Sequence, residues 1–197
     1  MSEQLLTIAA QGLFVHGATA HTFDDREVPE PVLRELYGLA VLGPTSMNCQ
    51  PMRLVFVASK EGKERLRPAL APGNVDKMMA APVTAIVAAD KNFFEQMPVL
   101  FPFAPTARDM FLSNEKLAHD TAFRNSSMQG AYLILAARSL GLAAGPMSGF
   151  DTAKVNETYF QDGDWKANFL VNLGYPTLKS YRPRGPKLSF DTACRVE

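Results

Sequence analysis

Residues 82–89 read Pro-Val-Thr-Ala-Ile-Val-Ala-Ala, the stretch of this chain that is most typical of a buried strand. Four of its eight residues are β-branched (valine, threonine or isoleucine) and none is charged, as in a strand that is covered on both faces. Residues 54–58 and 167–173 are two further apolar runs of strand length. The sequence therefore predicts a sheet with at least these three strands.

Helical patterns separate the predicted strands. Residues 114–140 form the longest one, and its second half is apolar nearly all round, which predicts a central buried helix. Shorter helices are expected over 29–40, over 60–70, which Pro72-Gly73-Asn74 should end, and over 151–160, which the carboxylate of Asp151 should cap. A sheet covered by helices on both faces, in a single domain over residues 1–197, follows from this alternation.

Four other segments carry weaker signals. Apolar residues at helical spacing over residues 5–14 predict a first helix. Residues 92–107 are aromatic and proline-rich, which favours an irregular segment covering a hydrophobic site, and packing in the core is an equal alternative. Residues 145–150 are expected to form a tight loop, and residues 188–196 a terminal strand.

The composition excludes several classes of protein. The 197 residues carry 20 Lys and Arg against 20 Asp and Glu, so a basic surface for nucleic acid or an anionic membrane is not expected. Two cysteines give no disulfide framework, and no apolar run approaches the length of a membrane span. A cytoplasmic protein in a reducing environment is the expectation.

Standard catalytic and metal-binding motifs are absent from the sequence. It contains no GxGxxG after a strand, no GxxxxGK[ST], no HExxH and no GxSxG. The three histidines are not at metal-ligand spacing with carboxylates. We therefore predict no metal site and nominate no catalytic side chain.

Two loops and the tail concentrate ligand-binding chemistry instead. Residues 43–51 hold Thr45, Ser46 and Asn48, which offer donors and acceptors for a planar heterocycle. Residues 145–151 hold two glycines, which allow a ligand to approach the backbone. Ordinary turn chemistry explains both loops equally well. The tail over 179–187 has four basic residues and no acid, which suits either an anion site or a solvated surface.

Taken in order, these segments resemble the nitroreductase family of flavoproteins. The residues that carry the resemblance are Gly43-Pro44-Thr45-Ser46-x-Asn48-x-x-Pro51, Ala81-Pro82-Val83, Gly145-Pro146-Met147-Ser148-Gly149-Phe150-Asp151 and Leu173-Gly174-Tyr175, followed by the basic tail. Thr121-Ala122-Phe123-Arg124-Asn125-Ser126-Ser127-Met128-Gln129 is similar to the subgroup that contains malonic semialdehyde reductases. The resemblance covers nearly the whole chain.

The resemblance implies an α+β fold with a central mixed sheet, an intertwined homodimer and FMN at the subunit interface. It assigns cofactor contacts to three groups of residues. The first loop contributes Pro44, Thr45, Ser46 and Asn48, from the partner subunit; the second contributes Pro146, Met147, Ser148 and Gly149, with the Ser148 N–H near flavin N5; and Thr19, His21, Arg184 and Lys187 lie toward the phosphate.

One position departs from the family pattern. A basic residue is common where this chain has Ala18, and His21 stands where a second is common. The loss of one charge-assisted phosphate contact costs about 1.5–3 kcal/mol of FMN binding.

The implied activity is a ping-pong reduction of a small electrophile by NADH or NADPH through the flavin. Nitro compounds, quinones and short semialdehydes such as malonic semialdehyde are the candidate acceptors. A flavin-binding or ligand-sensing module without turnover is the alternative.

Overall fold

The computed structural model describes residues 10–197. Its sheet has four strands in the order β1-β2-β4-β3. They are β1 (Met52–Val57), β2 (Val83–Asp90), β3 (Ala143–Met147) and β4 (Trp165–Gly174). The run at residues 82–89 is confirmed as an inner strand, β2, in which only one of eight residues is not buried.

The α-helices of the described chain alternate with these strands. In chain order they are α1 (Glu30–Ala40), α2 (Lys60–Leu66), α3 (Pro72–Ala80), α4 (Met97–Leu100), α5 (Ala107–Leu112), α6 (Glu115–Ser139), α7 (Thr152–Tyr159) and α8 (Phe190–Ala193). Single turns cover Gln11–Val15, Ser46–Asn48, Arg67–Ala69 and Phe93–Gln96. The first predicted helix lies largely outside the described residues.

Every pairing among the four strands is antiparallel, which corrects the expectation of a mixed sheet. The connection between β1 and β2, which contains α2 and α3, starts and ends at the same end of the sheet, and so does the connection between β3 and β4, which contains α7. The strands β2 and β3 point in the same direction, but β4 separates them, so they share no hydrogen bonds. No two neighbouring strands are therefore parallel, although the connection through α6 crosses from one end of the sheet to the other.

Helices cover both faces of the sheet, as the alternation predicts. Val83, Ala85 and Val87 of β2 pack on one face with α1 and α6. Ile86 and Ala88 pack on the other face with α2, α3 and α7. This period of two follows from the strand pleat, which turns successive side chains to opposite faces. The α+β architecture is confirmed.

The long helix α6 confirms the helix predicted over residues 114–140, but its second half is not buried all round, because Met128 and Tyr132 on one face are exposed. Asn114 caps its first turn by accepting a hydrogen bond from the Leu117 N–H. Ten of its 25 residues are buried, including Leu133, Ala136 and Ala137. Asp151 caps α7 in the same way, with Lys154 N–H as the donor. Both caps satisfy N–H groups that the first helical turn leaves free.

The structure corrects three local predictions. Residues 72–74 do not end a helix; Pro72 begins α3, because a proline at the first helical position loses no hydrogen bond. Residues 145–147 belong to strand β3, and a proline is tolerated there because β3 lies at the edge of the sheet. The expected strand over 188–196 is instead the short helix α8, which Ser189 caps.

The aromatic segment contributes mainly to the core. Phe93 and Phe94 are buried against the first half of α6, in a cluster that also includes Phe111. Phe103, by contrast, is 88% exposed. Phe93 and Phe94 lie in a short helical turn rather than in an irregular segment. Within residues 10–197, no helix is long and apolar enough to cross a membrane.

Candidate functional site

Three distant segments meet beside the edge strand β3. Ala20 N–H donates to Ala144 O at 3.0 Å, so residues 18–21 run along β3. His21 N–H donates to Ser180 O at 2.9 Å, and Ala20 forms a bridge with Tyr181. These backbone contacts bring the second loop, residues 145–151, and the basic tail, residues 179–187, to the two ends of residues 18–21.

Two adjoining cavities lie along this junction. The loop cavity, about 270 Å³, is lined by residues 145–149 and by Asn74 and Lys77 of α3. The tail cavity, about 370 Å³, is lined by residues 182–185, Lys187 and Arg138. Thr19 and His21 line both cavities. The result is a groove with a loop at one end and a basic tail at the other.

The loop end is fixed by backbone contacts. Gly149 O accepts from Ala71 N–H and from Asn74 Nδ2, both at 3.0 Å. Asp151 N–H donates to Ala69 O at 2.7 Å. A Cβ at Gly145 would lie 2.6 Å from Ala20 O, so only glycine allows this approach. The segment that carries Ser148 is therefore held from both sides.

A buried polar pair lies behind the loop end. Thr84 Oγ1 donates to Asn172 Oδ1 at 2.7 Å, and Asn172 Nδ2 lies 3.5 Å from Met147 Sδ. Thr84 and Asn172 are at most 1% exposed, and Asn172 also lines the loop cavity. Because buried polar groups are costly unless paired, this contact fixes the position of Met147.

Positive charge dominates the groove. Arg138, Arg182, Arg184 and Lys187 line the tail cavity, Lys77 lines the loop cavity, and neither cavity has an acidic residue in its lining. Among the described residues, none of these five cations forms an ion pair with a carboxylate. Such a concentration of one sign in a chain of zero formal charge favours an anionic ligand.

His21 lies where the two cavities meet. Its Nδ1 is buried and has no hydrogen-bond partner in the described chain. Burial, followed by the charges of Arg182 and Lys77, lowers the pKa of His21 from its ordinary value of 6.5. The imidazole is therefore neutral at pH 7 and offers a polar atom to a ligand in the groove.

Arg184 has a second set of contacts. Its Nη2 donates to Phe14 O, Val15 O and Gly17 O at 2.8, 2.9 and 2.6 Å. These carbonyls follow or end the turn Gln11–Val15, where free backbone acceptors attract a cation. Arg184 thus joins the tail to residues 14–17 and places its charge at the tail cavity.

The first loop lies outside both cavities. Pro44, Thr45, Ser46 and Asn48 line neither of them. Ser46 N–H donates to Asn125 Oδ1 at 2.8 Å, and Asn48 Nδ2 donates to Leu100 O at 3.0 Å. Within one chain, the structure brings Thr19, His21, residues 146–149, Arg184 and Lys187 together, and it leaves the first loop apart.

The backbone of the first loop is unusual. Met47 and Asn48 both have φ of 51°, and Gln50 has φ of 39°. Residues other than glycine rarely adopt this region, and the cost is of order 1 kcal/mol for each. Thr45 Oγ1 accepts from Gln50 N–H at 3.2 Å and helps to hold the conformation. Strain that is maintained in this way is typical of functional loops.

Sequence reasoning missed four residues of the groove. Asn74 and Lys77 escaped because α3 was interpreted as a helix end, and Asn172 because it lies inside a predicted buried strand. Arg138 gave a usable signal, since it is the one charged residue in the otherwise apolar stretch 128–140. A lone cation in such a stretch needs a partner, and this requirement is the signal that points to Arg138.

Fold and groove together define an α+β protein with a groove whose basic side chains suit an anionic ligand. The model of the nitroreductase family matches residues 19–175, and the chain belongs to that family. A protein from Polynucleobacter asymbioticus, provisionally named an NADH dehydrogenase/NAD(P)H nitroreductase, is 50% identical over 196 residues and covers 100% of both chains. A similarly named protein from Stenotrophomonas maltophilia is 53% identical over 196 residues, also with 100% of both chains covered.

Solved structures share the fold. A provisionally named nitroreductase from Exiguobacterium sibiricum, in complex with FMN, superposes with a TM-score of 0.86 at 19% identity over 100% of both chains. One from Bacillus subtilis gives a TM-score of 0.85 at 21% identity, covering 94% of this chain and 97% of that one.

Proposed function

We propose that this protein binds FMN and uses NADH or NADPH to reduce a small electrophile, with donor and acceptor occupying the same space in turn. The observation that carries the proposal is the groove itself. One end is a cluster of cations that form no ion pair with a carboxylate of the described chain, and the other is a fixed backbone loop beside a sheet edge. FMN has a matching shape, with a phosphate at one end and a flat ring at the other.

The residues of the groove fit this cofactor. Arg184 and Lys187 suit the phosphate, since guanidinium and ammonium groups form charge-assisted hydrogen bonds with phosphate oxygens. Thr19 and His21, at the junction, suit the middle of the ligand, and the buried Nδ1 of His21 gains a partner there. Residues 146–149 suit the ring, and we assign the N–H of the exposed Ser148 to flavin N5.

A homodimer completes the site in this proposal. Tyr37 and Leu39 on α1, and Phe123, Met128 and Tyr132 on α6, are large apolar side chains that are more than a third exposed. These exposed apolar side chains lie on two helices that pack together, and they suit a protein interface. The strained first loop lies beyond this chain's own groove, so we assign Pro44, Thr45, Ser46 and Asn48 to the partner's cofactor.

When bound, FMN supplies the hydride chemistry, taking a hydride from NADH or NADPH and passing it to the acceptor. The protein's part is to hold, orient and polarise. The Ser148 N–H stabilises negative charge near the ring, as a fixed backbone dipole does without reorganising. No side chain is assigned as a proton donor or base.

The test is spectroscopic and kinetic. Purified protein titrated with FMN should show flavin absorbance and FMN-dependent oxidation of NADH or NADPH, with parallel initial-rate lines when the acceptor is varied. Intersecting lines with no flavin requirement would overturn the proposal. FMN binding without turnover of any acceptor would favour a flavin-binding or sensing module.

Comparing acceptors identifies the substrate class. Nitroaromatic, quinone and malonic semialdehyde substrates are compared by kcat/KM at fixed donor. The similarity of residues 121–129 to the semialdehyde-reducing subgroup favours malonic semialdehyde. A preference of tenfold or more for the nitroaromatic or the quinone would reject that assignment. We place the reaction in the cytoplasm, because both cysteines are free. We also propose that residues 1–197 form a single domain.

A further inference from the structure

We propose that Arg138, from the last turn of the central helix α6, binds the cofactor phosphate from inside the core. The inference rests on the proposed function, because the ligand is the phosphate group of FMN. It assigns this role to a residue whose neighbours in α6 serve the core.

The contacts of Arg138 leave part of its guanidinium group without a partner. Nη1 donates to Leu13 O at 2.8 Å. Nε is buried and has no acceptor among the described residues. A buried N–H without an acceptor is costly, and native proteins usually pair such a group with a ligand or water. The tail cavity, which Arg138 lines, is the place from which an acceptor can come.

The backbone beside Arg138 is shaped to admit its guanidinium group. A Cβ at Gly17 would lie 2.7 Å from both Cζ and Nε of Arg138. Any other residue at position 17 would displace the group. Ala18, the next residue, also lines the tail cavity and has too short a side chain to fill it. The small residues 17 and 18 therefore leave the cavity open to Arg138.

The charges around Arg138 favour an anion. Burial lowers the pKa of Arg138; Tyr181 acts in the opposite direction, and the positive charge of Arg184 lowers the pKa further. Both guanidinium groups bond to carbonyls of residues 13–17, and within the described chain no carboxylate pairs with either. A phosphate dianion between them would relieve their repulsion and supply the missing acceptor for Nε.

Dissociation constants for FMN and riboflavin, measured by quenching of flavin fluorescence, test the proposal. Riboflavin lacks only the phosphate. We expect Arg138→Met to weaken FMN binding by about 10- to 100-fold, the range for loss of a charged hydrogen bond, and to change riboflavin binding by less than about twofold. Arg138→Lys keeps the charge without Nε–H and should fall between. Lys60→Met, at an exposed site that lines neither cavity, should leave both constants unchanged.

Each alternative outcome has a distinct meaning. If Arg138→Met weakens FMN and riboflavin equally, Arg138 only holds residues 13–17 in place and the inference fails. If the wild-type protein binds FMN and Arg138→Met binds it equally well, the inference fails while the proposed function stands. If the wild-type protein does not bind FMN, both fail.

A second variant restores the charge from another position. Adding Ala18→Arg to Arg138→Met places a guanidinium group at the same cavity. We expect it to recover most of the lost FMN affinity without affecting riboflavin. Absence of recovery in a folded double variant would contradict a shared phosphate site.

Discussion

Two segments of this chain start with Gly-Pro and contain a serine, yet the fold treats them differently. Residues 145–147 continue a strand, where Met147 pairs with Leu170 of β4. Residues 43–51 turn back on themselves through three left-handed residues and are held by side chains. The first arrangement is supported by a sheet, and the second by a few hydrogen bonds to distant helices.

The difference shows that composition alone does not locate a site. Both segments offer serine and a flexible backbone, but residues 145–149 line the loop cavity of their own chain and residues 43–51 line neither cavity of the groove. The strained backbone of residues 43–51, away from that groove, is the reason for the proposal that they contact the partner's cofactor. The two segments should respond differently to substitution, and four measurements test this.

Met147→Ala should have the largest effect. Met147 is 9% exposed and packs in the core on the α3 side of the sheet, so its truncation should cost about 2–5 kcal/mol of unfolding free energy. Urea denaturation measures the loss. Met47→Ala, which truncates the methionine of the strained loop, is the control and should cost less because Met47 is only partly buried. Equal losses would remove the contrast between the segments.

Asn125→Leu should rank second. Asn125 is 2% exposed, and its Oδ1 is the acceptor for Ser46 N–H. Losing that acceptor should cost about 1–3 kcal/mol, measured by urea denaturation. The control is Thr158→Ala, which removes a hydroxyl that bonds only within its own helix and should change stability by less than about 0.5 kcal/mol. A neutral Asn125→Leu would mean that the loop does not depend on this contact.

Protonation of His21 should have a smaller effect. Its pKa in the folded protein lies below the ordinary 6.5, so the unfolded chain takes up a proton first as the pH falls. Stability is therefore fully present above 6.5, declines as the pH falls below it, and levels off below the folded pKa. Thermal unfolding of wild type and His21→Gln across this window should show a steeper decline for wild type. Parallel curves would contradict the lowered pKa.

Asn48 provides the smallest and most specific test. Asn48→Ala and Asn48→Gly remove the same side-chain contacts, but only glycine adopts a φ of 51° without strain. Glycine should be the more stable by about 1 kcal/mol in thermal unfolding. The φ of Ser148 is not positive, so Ser148→Ala should be at least as stable as Ser148→Gly. The same preference at both positions would show that backbone strain does not distinguish the segments.

Much of the fold was predictable because its signals are local. The apolar run at 82–89, the existence of the long helix α6 and the Asp151 cap each depend on neighbouring residues, and each is confirmed. The expected burial of the second half of α6 is wrong on one face, because apolar composition does not distinguish a core face from an exposed apolar face. Pro72 misled because a proline can begin a helix as well as stop one. Pro146 misled because its place in a strand depends on β3 being at the edge, which local sequence does not state.

The candidate site was less predictable for a related reason. Thr19, His21, residues 146–149, Arg184 and Lys187 follow from the family resemblance, and the structure brings them to one groove. Arg138 and Lys77 join them only through tertiary packing, which places a helix end and a second helix beside the same strand. No periodicity or spacing in the sequence encodes that meeting.

The contact between Arg184 and Phe14 joins residues 170 positions apart. During synthesis, residues 14–17 leave the ribosome long before Arg184 exists, so the tail end of the groove cannot form until the segment that carries Arg184 has also emerged. Fragments cut short before residue 184 would lack this contact.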